Sequence, residues 1–131
     1  MVVNARSPAG VSPGWSRLWL GFGAVNGLAA VALAAVAAHA GLPVDRLVAL
    51  RSGVEIEGWH APVLLLCSFG QGRLMNAAGA AFAAGTVLFC AGVYAVAFAG
   101  LHLGPIAPTG GTVLMLGWLL LLIRAFMSNK S

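Results

Sequence analysis

Few side chains in this sequence can exchange protons or hold a metal near neutral pH. They are His39, His60 and His102, and the carboxylates Asp45, Glu55 and Glu57. A neutral imidazole binds metal or haem iron and titrates close to physiological pH. Glu57 and His60 stand three apart, which puts them on one face of a helix. Cys67 and Cys90 lack metal-type spacing and sit in apolar runs, where they read as small packing residues. No H-E-x-x-H pattern is present, and no nucleophile, base and orienting group can be assembled, so the chain is expected not to be an enzyme.

The elements that must position these groups are membrane helices. Of the 131 residues, 60% are hydrophobic and only 8% charged. Soluble domains carry roughly 25% charged residues. With a mean hydropathy of +0.95, the composition excludes a soluble globule and a disordered chain. The net charge is +4. Its basic residues are scattered at the ends of apolar stretches, as topology determinants are, so nucleic acid is not an expected partner.

An all-α integral membrane protein follows, read as a four-transmembrane-helix bundle. Residues 1–16, with Pro8, Gly10, Pro13 and Gly14, are expected to form a flexible tail. The membrane domain is 17–127, and 128–131 form a C-terminal tail. The first span is about 18–38, longer than the apolar core of a signal peptide despite the Ala38-His39-Ala40 pattern, so it is expected to stay uncleaved. Trp15 and Trp19 flank Arg17 as interfacial anchors.

After Gly41-Leu42-Pro43, Val44–Ser52 reads as a short amphipathic stretch lying along the interface. The second span is about 52–70, with Glu55, Glu57 and His60 in its outer turns. Only 61–72 is free of charge and histidine, so a three-span arrangement with that segment in the interface is the competing reading. The third and fourth spans are about 75–100 and 109–123, split by a Gly- and Pro-rich break at Leu101–Gly111. Four spans put Arg6, Arg17, Arg73, Arg124 and Lys130 on one side and only Arg46 and Arg51 on the other. The termini are then expected in the cytoplasm, at the inner membrane if the source is bacterial. The three-span arrangement satisfies the charge rule equally well.

Leucine burial does not associate helices in lipid, whereas close contact of small residues does. Gly23, Gly27, Ala30 and Ala34 form one small-residue stripe, and Ala81, Gly85 and Gly92 another. These two faces are expected to dock on each other, with Asn26 making an interhelical hydrogen bond. Under the four-span reading, His39 and His60, with Glu57 and Glu55, gather as a polar cluster at the outer mouth of the bundle. Solvated helix ends are the plainer alternative.

Several segments resemble the DUF423 family, which includes transmembrane protein 256. They are Asn26-Gly27-Leu28 through Ala38-His39-Ala40-Gly41-Leu42, Trp59-His60-Ala61, Gly85 through Tyr94, and Leu103 through Gly111 with Gly117-Trp118. The resemblance covers about 21–122 and implies a small four-helix membrane protein. It favours the second span and matches His39 and His60, but not His102. Glu55, Glu57, Pro62 and the long N-terminal tail depart from the family pattern. It implies no activity and no cofactor.

The leading expectation is a non-enzymatic accessory or scaffold subunit whose partners are the lipid bilayer and other membrane helices. The alternatives are a metal-, haem- or small-ligand-binding protein using His39 and His60, and a small transporter. The transporter ranks last, because the first span lacks a deep carboxylate and no charge lies deep in the third or fourth.

Overall fold

A computed structural model describes residues 13–127, and residues 1–12 of the expected 1–16 tail and the whole expected tail 128–131 lie outside them. Four helices follow in order: α1 (Pro13–His39), α2 (Val44–Phe69), α3 (Arg73–Tyr94) and α4 (Ile106–Met127). A π-helical segment, Ala95–Ala99, extends α3. Three helices are long and apolar enough to cross a membrane: Gly14–His39, Arg73–Ala99 and Ile106–Met127.

Helix starts and stops follow local chemistry. Proline suits a first helical position because its missing N–H needs no partner there, and α1 begins at Pro13, so 13–16 belong to the helix and not to a tail. α4 begins three residues earlier than expected and tolerates Pro108 in its first turn for the same reason. Gly41 at φ +61° and Gly100 at φ +67° adopt the left-handed conformation that ends α1 and the π-helical segment.

The interfacial stretch does not exist as a separate element. Val44–Ser52 is the first third of an unbroken α2, because the only helix breakers nearby, Gly41 and Pro43, precede it. Gly53 does not interrupt the helix. Tyr94 and Val93 occupy the space its side chain would fill, with a Cβ there falling 2.9 Å from Val93 Cγ2. Pro62 also stays within the helix.

Helices pack in chain order, α1 on α2, α2 on α3 and α3 on α4. Neighbours are antiparallel. Gly23 lies under Ala61 and Leu65 while Ala30 lies by Gly58, and Gly85 meets Leu114 while Gly92 meets Ala107. α2 is therefore an inner helix, covered by α1 on one side and α3 on the other. α2 and α4 meet only through long side chains. Trp19, Leu64, Cys67, Met75, Ala78, Phe82, Ala83 and Leu114 form the core.

Both small-residue stripes are used, but not on each other. Gly23, Gly27 and Ala30 face α2. A Cβ at Gly23 would sit 2.8 Å from Leu65 Cδ2 and 3.0 Å from the Ala61 carbonyl oxygen. Gly85 and Gly92 face α4, with Cβ positions 2.8 Å from Leu114 Cγ and 2.7 Å from Ala107 Cβ. Ala81 is half-buried and Ala34 exposed. A hairpin with a short loop brings sequence neighbours together first, so each stripe seats on the adjacent helix.

Trp19 is likewise not an interfacial anchor. It is 3% exposed, and its indole N–H donates to Asn76 Oδ1 at 2.8 Å. Gly79 makes room for the ring, and Trp15, half exposed, stacks on it at 5.7 Å.

Candidate functional site

Because α2 starts at Val44, its polar residues lie deeper than a start at Ser52 would put them. Glu57 is about 20 Å of helix rise from Val44 and about 18 Å from Phe69. Glu57 and His60 are thus near the middle of α2, not in its outer turns. Both are buried, at 8% and 4% exposure. They can be, because the face of α2 that carries them is turned to α3 and not to lipid.

Each group reaches a different helix. Tyr94 of α3 donates its hydroxyl to Glu57 Oε2 at 2.5 Å. Trp118 of α4 donates its indole N–H to His60 Nε2 at 3.2 Å. With Nε2 accepting, the proton sits on Nδ1, which donates to the Ile56 carbonyl at 2.7 Å. Phe82 completes the packing, with centroids 5.6 Å from His60 and 5.2 Å from Trp118.

This arrangement restricts the chemistry. Both imidazole nitrogens of His60 are occupied, so ligating a metal or haem iron would require breaking the Trp118 bond. Among the described residues no group of three or more His, Cys, Asp or Glu is placed to hold a metal ion. Cys67 and Cys90 are both buried and unpaired with each other.

The other expected site residues are dispersed. His39 ends α1 and is exposed. Ala30 lies against Gly58, so His39 is about 13 Å further along α1 in the direction away from His60. The two imidazoles do not share a site. Glu55 is exposed and lines a shallow cleft with Ala34, Ala37, Ala38, Arg51 and Val54. Asn26 is buried, but Nδ2 donates within its own helix to the Phe22 carbonyl at 2.7 Å, not to another helix. His102 lies at the rim of a separate apolar cleft beside Ala49, Gly92 and Ala107.

Three functional groups escaped the sequence reading. Tyr94 is the only tyrosine, set in an apolar run, and that isolation was the available signal. Trp118 gave none beyond its place in a familiar motif. Thr86 is 1% exposed, and its hydroxyl has no hydrogen-bond partner. It lies on the face of α3 between Phe82, which stacks on His60, and Cys90, whose thiol reaches the Gly53 carbonyl at 3.7 Å.

A groove of about 230 Å³ runs along the seam between α2 and α4, bordered by Ile56, Trp59, His60, Phe89, Leu114 and Trp118. It borders the His60–Trp118 bond. The lining is apolar apart from that pair.

Comparison with known proteins places the chain. The profile of a family described as "Protein of unknown function (DUF423)" matches residues 33–111. The UPF0382 membrane protein YwdK of Bacillus subtilis is 30% identical over 118 residues, covering 83% of this chain and 96% of that protein. The UPF0382 inner membrane protein YgdD of Escherichia coli K12 is 30% identical over 123 residues, covering 88% and 94%. No solved structure matches. Nearly the full length of two membrane proteins is thus aligned with this chain, and it belongs to the DUF423 family.

Proposed function

We propose that this is a four-span, non-enzymatic membrane protein that binds a small molecule or ion at the buried polar groups of α2. The observation that carries this reading is the placement of Glu57 and His60. Two ionisable side chains sit near the midpoint of α2, a helix packed between α1 and α3, and each is held by a different neighbour. Ionisable groups at such depth are costly and mark ligand paths or proton relays.

Crossing by α2 is supported by its packing. It runs antiparallel between α1 and α3, two helices apolar enough to span, through connections at 40–43 and 70–72. A helix packed lengthwise between two spans crosses with them. Arg17, Arg73 and Arg124 lie together at the end where α1 starts and α4 finishes, and Arg124 donates to the Gln71 carbonyl there at 3.2 Å. The positive-inside rule places that end, and with it both termini, in the cytoplasm. The relative in Escherichia coli is named an inner membrane protein, which suits the same location here.

The accessory-subunit reading depended on free small-residue faces. Gly23, Gly27, Ala30, Gly85 and Gly92 are covered by the chain's own helices, so that support moves to the interior of the molecule. Native mass spectrometry of protein released from lipid nanodiscs tests the choice. The expected result is a bound species that survives purification and is lost in Glu57→Gln and His60→Gln. An identical complement in wild type and both variants would refute it. So would recovery only in fixed stoichiometry with other membrane subunits whose attachment survives both substitutions.

A further inference from the structure

We infer that the groove between α2 and α4 takes a flat ring bearing a hydroxyl group, the chemistry of a phenol, with the hydroxyl oxygen seated between His60 Nε2 and Trp118 Nε1. This rests on the reading that the buried polar groups of α2 bind a ligand, and it names the ligand of His60.

The seam is open because backbone does not close it. α1 packs on α2 and α3 on α4, but among the described residues α2 and α4 make no close backbone approach. The hydrogen bond that joins them is that of Trp118 with His60. Gly111 borders this seam. At Gly85, Gly92 and Gly110 the missing side chain admits the neighbouring helix, whereas a Cβ at Gly111 would meet nothing nearer than Phe89 Cδ2, at 4.0 Å. Nor is its backbone left-handed. A glycine inside a helix weakens that helix, and here neither packing nor conformation requires one. What its absent side chain leaves is room in the groove.

The lining selects the body of the ligand. Trp59 of α2 and Trp118 of α4 border the groove, with Phe89 from α3 and Met115. Flat rings pack edge or face against indoles, and thioethers favour ring edges. No charged side chain borders the groove, so a charged ligand would be left unpaired. Its volume is about 230 Å³. A cavity of roughly 150 Å³ holds one benzene ring, so a single ring fits with space for its substituents.

Hydrogen bonding selects the oxygen. His60 Nδ1 faces the Ile56 carbonyl at 2.7 Å. A carbonyl only accepts, so Nδ1 donates and Nε2 must accept. The Trp118 indole only donates. A hydroxyl group serves both, giving its proton to Nε2 and accepting from the indole. An ether or ketone oxygen would serve Trp118 and leave Nε2 without a donor. At 3.2 Å the present bond is at the long end of the normal range. Trp118 is 48% exposed, so its ring can swing outward by the ~1–2 Å that two bonds in place of one require. No covalent bond is made or broken, and neither polar group is left unpaired.

The test uses the full chain in lipid nanodiscs with isotope-labelled tryptophan and histidine. The probe is para-pentylphenol. The controls are para-pentylanisole, which lacks the hydroxyl proton, and pentylbenzene, which lacks the oxygen. All three dissolve in lipid, so affinities are referred to the lipid phase. Nuclear magnetic resonance follows the Trp118 indole N–H and the His60 ring nitrogens, assigned with Trp118→Phe and His60→Leu. The phenol is expected to move both signals saturably, and the anisole to bind about tenfold more weakly, as loss of one hydrogen bond implies. Gly111→Leu, which fills the groove, should abolish the response while melting no lower than wild type. Absence of a saturable shift with the phenol overturns the site, as does an undiminished response in Gly111→Leu. Equal affinity for the anisole or pentylbenzene also overturns it, because the groove would then be a seat for any apolar chain. If the phenol fails while native mass spectrometry finds a species that Glu57→Gln or His60→Gln removes, the phenol site fails alone and the ligand-binding reading stands.

Discussion

His60 and Trp118 show how one hydrogen bond sets a residue's role. Because Trp118 donates to Nε2, the imidazole is locked as the Nδ1–H tautomer and joins α2 to a helix it otherwise barely touches. Trp118→Phe keeps the ring packed on Phe82 but leaves Nε2 without a donor. The expected loss is about 0.6–1.7 kcal/mol, the range for interhelical bonds in membranes. His60→Leu should lose a similar amount, and the double variant less than the sum of the two, as contacting pairs do. Additive losses in thermal melts would mean the bond contributes nothing. Thr86→Val has the opposite expectation. Removing a buried hydroxyl with no partner relieves a desolvation cost, so stability should hold or rise. The residue types of Glu57 and His60, and their three-residue spacing, were legible in the sequence. Their depth was not, since it depends on whether α2 begins at Ser52 or Val44, and a charged first third argues against a span only if that helix faces lipid.

The helices owe their order to where glycine is indispensable. At Gly110 a Cβ would collide with the Phe89 backbone nitrogen and lie 2.8 Å from the Gly85 carbonyl oxygen. Backbone cannot rotate away, so Gly110→Ala must push α3 and α4 apart. Overpacking of this kind costs about 1–3 kcal/mol, and a lowered melting temperature in mild detergent is the expected outcome. Gly27→Ala is the contrast, because its Cβ would meet only Ala61 Cβ, at the ordinary distance of 3.7 Å. It should melt like wild type, and equal losses at the two positions would refute this account of the α3–α4 seam. The GxxxG stripe of Gly23 and Gly27 and the spacing of Gly85 and Gly92 were readable as docking faces. Their partners were not, because small-residue spacing is the same whichever helix it meets. Trp19 escaped for a related reason. A tryptophan beside Arg17 fits an interfacial belt equally well until Gly79 and Asn76 are known to receive it.

For the molecule as a whole, what matters is that the least apolar helix is one of the two that are packed between neighbours, α2 and α3. α1 and α4 turn leucine, valine and phenylalanine outward, among them Leu28 at 74%, Val31 at 74% and Phe126 at 73% exposure, as a lipid-facing perimeter requires. α2 turns Val48, Leu66 and Phe69 outward as well, but on its inner face it buries Leu50, Glu57, His60, Leu64 and Cys67. Hydropathy alone undercounts such a helix, since polar groups that would be prohibitive in lipid are cheap when neighbouring helices satisfy them. If α2 crosses, the connection at 40–43 and the turn at 70–72 face opposite compartments. Single cysteines at Leu42, Gln71 and Gly104, introduced after Cys67→Ala and Cys90→Ala, test this with a membrane-impermeant maleimide on intact cells. Leu42→Cys and Gly104→Cys should label from outside, and Gln71→Cys only after the membrane is opened. Labelling of Gln71→Cys from outside, or protection of Leu42→Cys alongside labelling of Gly104→Cys, would remove the α2 crossing. Glu57 and His60 would then no longer lie at mid-bilayer, so the depth of the candidate site and the crossing of the helix that carries it stand or fall on the same measurement.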